Sequence, residues 1–195
     1  MSVVRSSELC RDGDVSIRLF RNDPADIRLL VSWQAEPHVR EWWDPDEPPP
    51  SFDEVGEKYG RRAHPTSPIV PCMIELDGRP IGYVQFYQWS SLPDEVAAMA
   101  LPTGERSFGL DILIGEPDLV GAGIGSRAVA LLCRHLARDR GGHEVLLTTE
   151  LTNTRAHRSF EKAGFVKIKD VWDVETRDGE RIHSWLMRWT PRSDR

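Results

Sequence analysis

Hydrophobic positions along the 195-residue chain change period several times, and each change predicts an element. Val15, Ile17 and Leu19 alternate with polar neighbours, the period-two pattern of a strand over 15–21. Asp23-Pro24 supplies an N-cap and a first-turn proline, after which Ile27, Leu30, Val31 and Gln34 recur at helical spacing until Pro37. Beyond His38-Val-Arg-Glu-Trp42-Trp43 comes an acidic, proline-rich turn over 44–50. Ser51 and Glu54 then have the spacing of a capping box and predict a helix from Phe52 to about Arg62.

Apolar runs over 69–76 and 80–89 flank Asp77-Gly78 and predict a hairpin. Residues 90–106 mix Pro, Gly, Ser and acids without a clean period, which predicts a long loop. A strand over 107–115 is followed by a helix whose Ile124, Ala128, Leu131, Leu132 and Leu136 share one face and which Gly141-Gly142 ends. A strand from Glu144 to about Thr149 leads to a helix that Asn153 begins and Gly164 caps. A last hairpin pairs 166–175 with 181–189 around Asp178-Gly179. The order β-α-α-β-β-β-α-β-α-β-β describes an α/β (α+β) domain with a mixed, mostly antiparallel central sheet flanked by helices. No repeat or linker interrupts 1–195, so one domain is expected, with 1–14 as an N-terminal extension and 190–195 as a C-terminal tail.

Composition narrows the function classes. The formal net charge of −6 argues against nucleic-acid binding, which needs Lys and Arg to neutralise phosphates, and favours a cationic small-molecule partner. No segment approaches bilayer-spanning length, and Met1-Ser-Val-Val-Arg-Ser-Ser lacks the apolar core of a signal peptide, so a cytoplasmic protein with no membrane partner is expected. Cys10, Cys72 and Cys133 are far apart, without a C-x-x-C pair, and read as free thiols. The six histidines have no metal-ligand spacing, so no metal is implied, and His157 is expected to be exposed. Monomer and homodimer are both compatible with the sequence.

Two features carry candidate chemistry. Gly121, Gly123 and Gly125 lie between a strand and an amphipathic helix, where bare backbone N–H groups can converge on an anion such as a pyrophosphate. Gly125 is followed by Ser126 and Arg127 with no lysine, so the P-loop pattern does not fit, and Glu144 begins its strand instead of ending it, so the dinucleotide fingerprint fails too. Asp111 is the second feature: it sits in an otherwise apolar strand, on the face opposite Phe108, Leu110, Ile112 and Ile114. A carboxylate there is costly unless it is paired or useful, and tying down backbone amides is one such use.

The glycine turn together with Asn153-Thr-Arg-Ala-His-Arg-Ser-Phe-Glu-Lys-Ala-Gly-Phe165 resembles the acetyl-CoA-binding core of the GNAT superfamily of N-acetyltransferases, whose element order the chain follows from Val15 to Trp189. The resemblance sharpens toward aminoglycoside 6'-N-acetyltransferases in 38–43, 80–87, 109–117 and 155–165. It implies a GNAT fold and acetyl-CoA as co-substrate, held by Leu113, Ile114, Val120, Gly121, Ala122, Gly123, Ile124, Gly125, Ser126, Asn153, Ala156 and Phe160. Backbone amides near Leu113 would polarise the thioester carbonyl, and Asp111 would be the base that deprotonates the acceptor ammonium, its pKa raised by partial burial. Trp42, Trp43 and Asp44 would form one wall of an acceptor cleft that includes Tyr87, and Asp94 and Glu95 another; Glu150 stands where the resembled enzymes usually have an Asp-Pro contact.

Phe160 occupies a position where many relatives carry a tyrosine thought to protonate the departing thiolate; phenylalanine has no proton to give and reads as a core aromatic. The resemblance leaves several acceptors open: another amine such as a 2' position, a lysine side chain in siderophore assembly, or a protein N-terminus. Siderophore-type N-acyltransferases usually show histidine where this chain has Asp111. A non-catalytic module that senses acetyl-CoA is the rival outside enzymes.

Overall fold

The computed structural model describes residues 8–177 and 179–191. Its elements run β1 (Glu8–Asp12), β2 (Val15–Leu19), α1 (Pro24–Ala35), α2 (Pro37–Arg40), α3 (Phe52–Arg62), β3 (Ile69–Leu76), β4 (Arg79–Gln88), α4 (Pro93–Ala98), β5 (Ser107–Ile114), α5 (Ile124–Arg140), β6 (Glu144–Glu150), α6 (Thr154–Ala163), β7 (Val166–Arg177) and β8 (Glu180–Trp189). The strands form one eight-stranded sheet in the order β1-β2-β3-β4-β5-β6-β8-β7. Every neighbouring pair is antiparallel except β5 and β6, which are parallel.

The local signals explain most boundaries. Asp23 accepts from the N–H groups of Ala25 and Asp26, with Pro24 in the first turn of α1. Ser51 and Glu54 make both halves of the capping box at α3. Asp77 and Gly78, at φ 49° and 78°, turn the β3–β4 hairpin.

Two expectations need correction. Residues 8–12 of the anticipated N-terminal extension are an edge strand paired with β2; residues 1–7 of it, and 192–195 of the anticipated tail, lie outside the described residues, as does Asp178 of the last turn. The segment 90–106 is not all loop. It opens with a 3-10 turn, Trp89–Ser91, and contains α4 with Pro93 in its first turn. Met99 and Leu101 are buried, and Leu92 and Val96 pack beside them. Leu92, Val96 and Met99 are spaced four and three apart, a helical stripe that the flanking Pro, Gly and acidic residues obscure.

Strand alternation divides the core between the two faces of the sheet. On one, Phe108, Leu110, Val145, Leu147 and Met187 pack against Ile124, Ala128, Leu132 and Leu136 of α5 and Phe160 of α6. On the other there are two separate apolar groups. Tyr83, Met73 and Leu113 lie with Leu30, Trp33, Val55 and Tyr59 from α1 and α3; Trp89, Leu146 and Leu186 lie with Met99 and Leu101. Gln85 and Asp111 occupy β4 and β5 positions between those two groups, on the same face by parity.

A buried ionic cluster fixes α1 to the sheet. Arg18 of β2 donates twice to Asp26 at 2.7 Å each and through Nε to Glu75 of β3 at 2.7 Å, while the Arg21 N–H donates to Asp26 at 2.9 Å. Truncating one member leaves a desolvated charge without its partner. Asp26→Ala is expected to destabilise the protein by about 3 kcal/mol, read as a lower urea midpoint with an unchanged m-value.

Candidate active site

β5 and β6 are paired only at Ser107 with Glu144 and Phe108 with Val145. Beyond those residues the strands part, because β5 stays with β4 through Gly82 and Ile114 while β6 follows β8 through Glu150 and Ser184. A cleft of about 520 Å³ opens there, lined by Ile112 to Ile114, the glycine turn, α6, and His38, Val39, Trp42 and Trp43.

Backbone parity determines what β5 offers the cleft. Gly115 N–H donates to Ile81 O at 2.9 Å, which makes that an exchanging pair and directs the polar groups of odd-numbered β5 residues at β4. The N–H and C=O groups of Ile112 and Ile114 therefore face the cleft. His38 supports this assignment: its Nε2 lies 2.9 Å from the Ile114 carbonyl and donates to it. The Leu113 backbone, singled out from the sequence, faces β4 instead, so the amides available near it are those of its two neighbours.

At the far end of the strand, Gly121 and Gly123 have φ of 84° and 81°, in the left-handed region where glycine is favoured. A side chain at either would meet no protein atom within 4 Å, so the conformation and the open approach, not crowding within the chain, call for glycine. Gly123 is the N-cap of α5 and provides no side-chain cap, leaving first-turn N–H groups to a ligand. Ser126 turns its hydroxyl back onto Gly123 O at 2.8 Å. Val120 and Gly125 line the cleft, whereas Ala122 is exposed and Ile124 belongs to the core under α5.

The opposite wall is α6, capped by Asn153, whose Oδ1 accepts from Ala156 N–H at 3.0 Å. Asn153, Ala156 and Phe160 line the cleft, and Phe160 is also buried against Phe165 at a ring-centroid distance of 5.7 Å. Arg155, Arg158 and Lys162 line it too. Sequence reasoning passed over these three cations, although their i, i+3, i+7 spacing marks one helical face suited to an anionic ligand. His157 corrects another expectation: it is buried at 5% exposure, and its Nε2 donates to Glu150 O at 3.0 Å, tying α6 to the end of β6.

Asp111 points to the other face of the sheet. Gln85 Nε2 donates to its Oδ2 at 2.7 Å, and Gln85 Oε1 accepts from Arg62 Nη1 at 2.8 Å and Tyr83 OH at 2.9 Å. Burial raises the Asp111 pKa above the usual carboxylate value; the Gln85 hydrogen bond and the Arg62 charge oppose the rise, and the Asp173 charge adds to it. Glu95 is raised as well, by burial and then by the charges of Asp111 and Asp173. Val96 of α4 packs with Val171 of β7, Leu146 and Leu186 on this same face, so Glu95 of α4, Asp111 of β5 and the buried Asp173 of β7 share it, a grouping that their sequence separation conceals. Tyr87 packs edge-on to Trp89 at 5.1 Å, its ring in the space a Gly109 side chain would need: the nearest ring carbon is 2.3 Å from the position of a Cβ.

The remaining acids disperse. Asp44 pairs with Lys58 at 2.9 Å and lines a second cavity between α3 and the 44–50 turn. Asp94 is exposed on α4. Glu150 is paired with Arg177 at 3.0 Å, and the same guanidinium stands 5.4 Å from the Trp42 ring centroid and donates to Glu41 O at 3.0 Å. Trp43 packs edge-on to Tyr83 at 6.1 Å. Among the described residues, no group of three or more His, Cys, Asp or Glu could hold a metal, and no helix is long and apolar enough to cross a membrane.

The family model of the acetyltransferase (GNAT) domain matches residues 23–172. Aminoglycoside N(6')-acetyltransferase type 1 of Klebsiella pneumoniae is 30% identical over 169 residues, covering 87% of this chain and 81% of the relative, and the protein of that name from Serratia marcescens gives the same figures. Among solved structures, aminoglycoside acetyltransferase AAC(6')-Ib with coenzyme A and kanamycin aligns with a TM-score of 0.73 at 26% identity, over 90% of this chain and 94% of that one. AAC(6')-Ib with paromomycin and acetyl-CoA gives 0.74 at 26% identity, over 93% and 99%.

Gly109→Ala is expected to cost about 1–3 kcal/mol through the clash with Tyr87. The measurement is a double-mutant cycle in urea: the cost should largely vanish in a Tyr87→Ala background, and an additive cycle would show that the ring is not what the glycine accommodates.

Proposed function

Because the chain belongs to the GNAT acetyltransferase family, we propose that it transfers acetyl from acetyl-CoA to a primary amine of an aminoglycoside, first the 6'-amine, by direct attack in a ternary complex. The observation that carries the acceptor side is the convergence of Asp111, Glu95 and Asp173 on the sheet face away from the glycine turn. A polycationic acceptor matches three carboxylates gathered on one face of the sheet. The 30% identity to aminoglycoside N(6')-acetyltransferases over 87% of the chain supports the same class.

The donor side fits acetyl-CoA by its chemistry. The Gly121 to Gly125 amides and the first turn of α5 suit a pyrophosphate, and Arg155, Arg158 and Lys162 suit further phosphate charge. The Ile112 and Ile114 backbone groups offer strand-like hydrogen bonds and an amide for a thioester oxygen. When bound, acetyl-CoA supplies the activated acyl group, whose C–S bond breaks as the C–N bond to the amine forms. Asp111, ionised, accepts the proton of the acceptor ammonium through Oδ1, the oxygen that Gln85 does not occupy. Phe160 supplies no proton to the leaving thiolate, so solvent provides it. Trp42 and Trp43 border the cleft on the side where the acceptor would meet the donor, and Tyr87, its ring against Gly109, would lie on the acceptor's side of β5.

Glu150 enters this scheme differently from the sequence expectation. Arg177 already neutralises it, so it holds the Trp42 side of the cleft and leaves the acceptor's ammonium groups to the three other acids. All the groups invoked come from one chain acting as a single catalytic domain, for which a monomer suffices and a homodimer is compatible. Free thiols at Cys10, Cys72 and Cys133 fit a cytoplasmic setting.

Coenzyme A release should be seen with aminoglycosides and not with lysine derivatives or peptide N-termini, and NMR of the product should place the acetyl group on the 6' nitrogen. Turnover confined to another amine would overturn the acceptor; release with no acceptor in a broad panel would favour a sensing module. kcat/KM is expected to rise with pH through the raised pKa of Asp111, because only the ionised carboxylate accepts a proton, and Asp111→Asn should lower it at least about a hundredfold. Gly123→Ala is expected to weaken coenzyme A binding about tenfold by calorimetry, with a stability cost of only about 1–2 kcal/mol for a left-handed alanine.

A further inference from the structure

The hydrogen-bond chain behind Asp111 has a direction. Two donors, the Arg62 guanidinium and the Tyr83 hydroxyl, converge on Gln85 Oε1 at 2.8 and 2.9 Å. That fixes which end of the amide is oxygen, so the NH2 must face Asp111, where it donates to Oδ2 at 2.7 Å. Gln85 is buried at 6% exposure between the two apolar groups of this face, and a reversed amide would set its NH2 against the Arg62 guanidinium, which can only donate. Arg62 is itself constrained: it ends α3 with its guanidinium 5.1 Å from the ring centroid of Tyr59, a fully buried residue whose hydroxyl accepts from Gln34.

We propose that Arg62 and Gln85 are positioning residues for Asp111: the guanidinium orients the glutamine amide, and the amide holds Oδ2 so that Oδ1 alone is presented to the acceptor ammonium. This rests on the reading of Asp111 as the base. The groups around the carboxylate are Gln85 from β4, with Tyr83 behind it on Oε1, Arg62 from α3, Glu95 from α4 and Asp173 from β7. Within that set Arg62 is the cation and Gln85 the donor; burial and the Asp173 charge oppose ionisation. The relay therefore keeps the base ionised at lower pH as well as aimed, and it links the end of α3 to the chemistry without touching the substrate.

The test is the pH dependence of kcat/KM for the wild type, Arg62→Met, Arg62→Lys, Gln85→Glu and Asp111→Asn, with KM for acetyl-CoA measured alongside. Arg62→Met removes the cation, and Gln85→Glu replaces the donor with a like charge, so both should move the acidic limb to higher pH and lower kcat while KM for acetyl-CoA stays put. Each unit of displacement multiplies the loss at a fixed pH below the limb by about ten. Arg62→Lys keeps the charge and should return the limb toward its wild-type place. Arg62 is partly exposed, so its variants test the idea even if a buried charge at position 85 prevents folding. An acidic limb unmoved in a folded Arg62→Met, with Asp111→Asn still losing the limb, overturns the relay alone. A limb that persists in Asp111→Asn overturns the base and the relay with it.

Discussion

The parting of β5 from β6 after Phe108 and Val145 leaves two strand edges whose N–H and C=O groups have no partner in the sheet. Buried backbone groups of this kind must be satisfied by something, and the rest of the site follows from how that demand is met. His38 takes one carbonyl, at Ile114, and the Ile112 and Ile114 groups remain directed at the opening. The same divergence admits the N-terminus of α5, whose uncapped first turn faces the same space, and α6, which closes it. A ligand with an extended amide chain and phosphate groups meets both sets of unpaired groups at once.

Charge is organised locally against the net balance of the chain. The protein carries a formal charge of −6, yet the cleft presents Arg155, Arg158 and Lys162, and Asp111 with Gln85 lies on the other face of the sheet. A single sheet thus separates a side lined by cations from a side that carries acids, with Asp111 projecting to the second and the Ile112 and Ile114 amides opening at the edge between them. The apolar groups around Tyr83 and around Trp89 flank the acids and restrict water, which is why burial leads the rise in proton affinity at both Asp111 and Glu95.

Arg177 adds a connection between elements distant in the chain. It joins the end of β7 to Glu150 of β6, to the Trp42 ring and to the Glu41 carbonyl. Two residues that resemble substrate contacts in the sequence are thereby held to each other through one cation.

Much was legible in the residues themselves, because caps, turns and periods act over a few positions. Asp23, the Ser51–Glu54 box, Asp77-Gly78, Asn153 and Gly164 mark ends that the structure keeps, and the alternation around Asp111 placed it opposite Phe108, Leu110, Ile112 and Ile114. What was hidden depends on neighbours far apart in sequence. β1 becomes a strand by pairing with β2, α4 is stabilised by Met99 and Leu101 beneath it, and His157 is buried because α6 folds onto β6. Side-chain parity was readable from one strand, but which edge of the β5 backbone stays free depends on the pairing with β4, which turns the backbone groups of Ile112 and Ile114, on either side of Leu113, to the cleft. Likewise an isolated acid looks the same in sequence whether it meets Lys58, as Asp44 does, Arg177, as Glu150 does, or the Gln85 amide, as Asp111 does. Local sequence determined the elements and the chemistry available to each; the through-space electrostatics, which decides the use of each charge, arose only when the sheet brought β4, β5, β7 and the ends of α3 and α4 together.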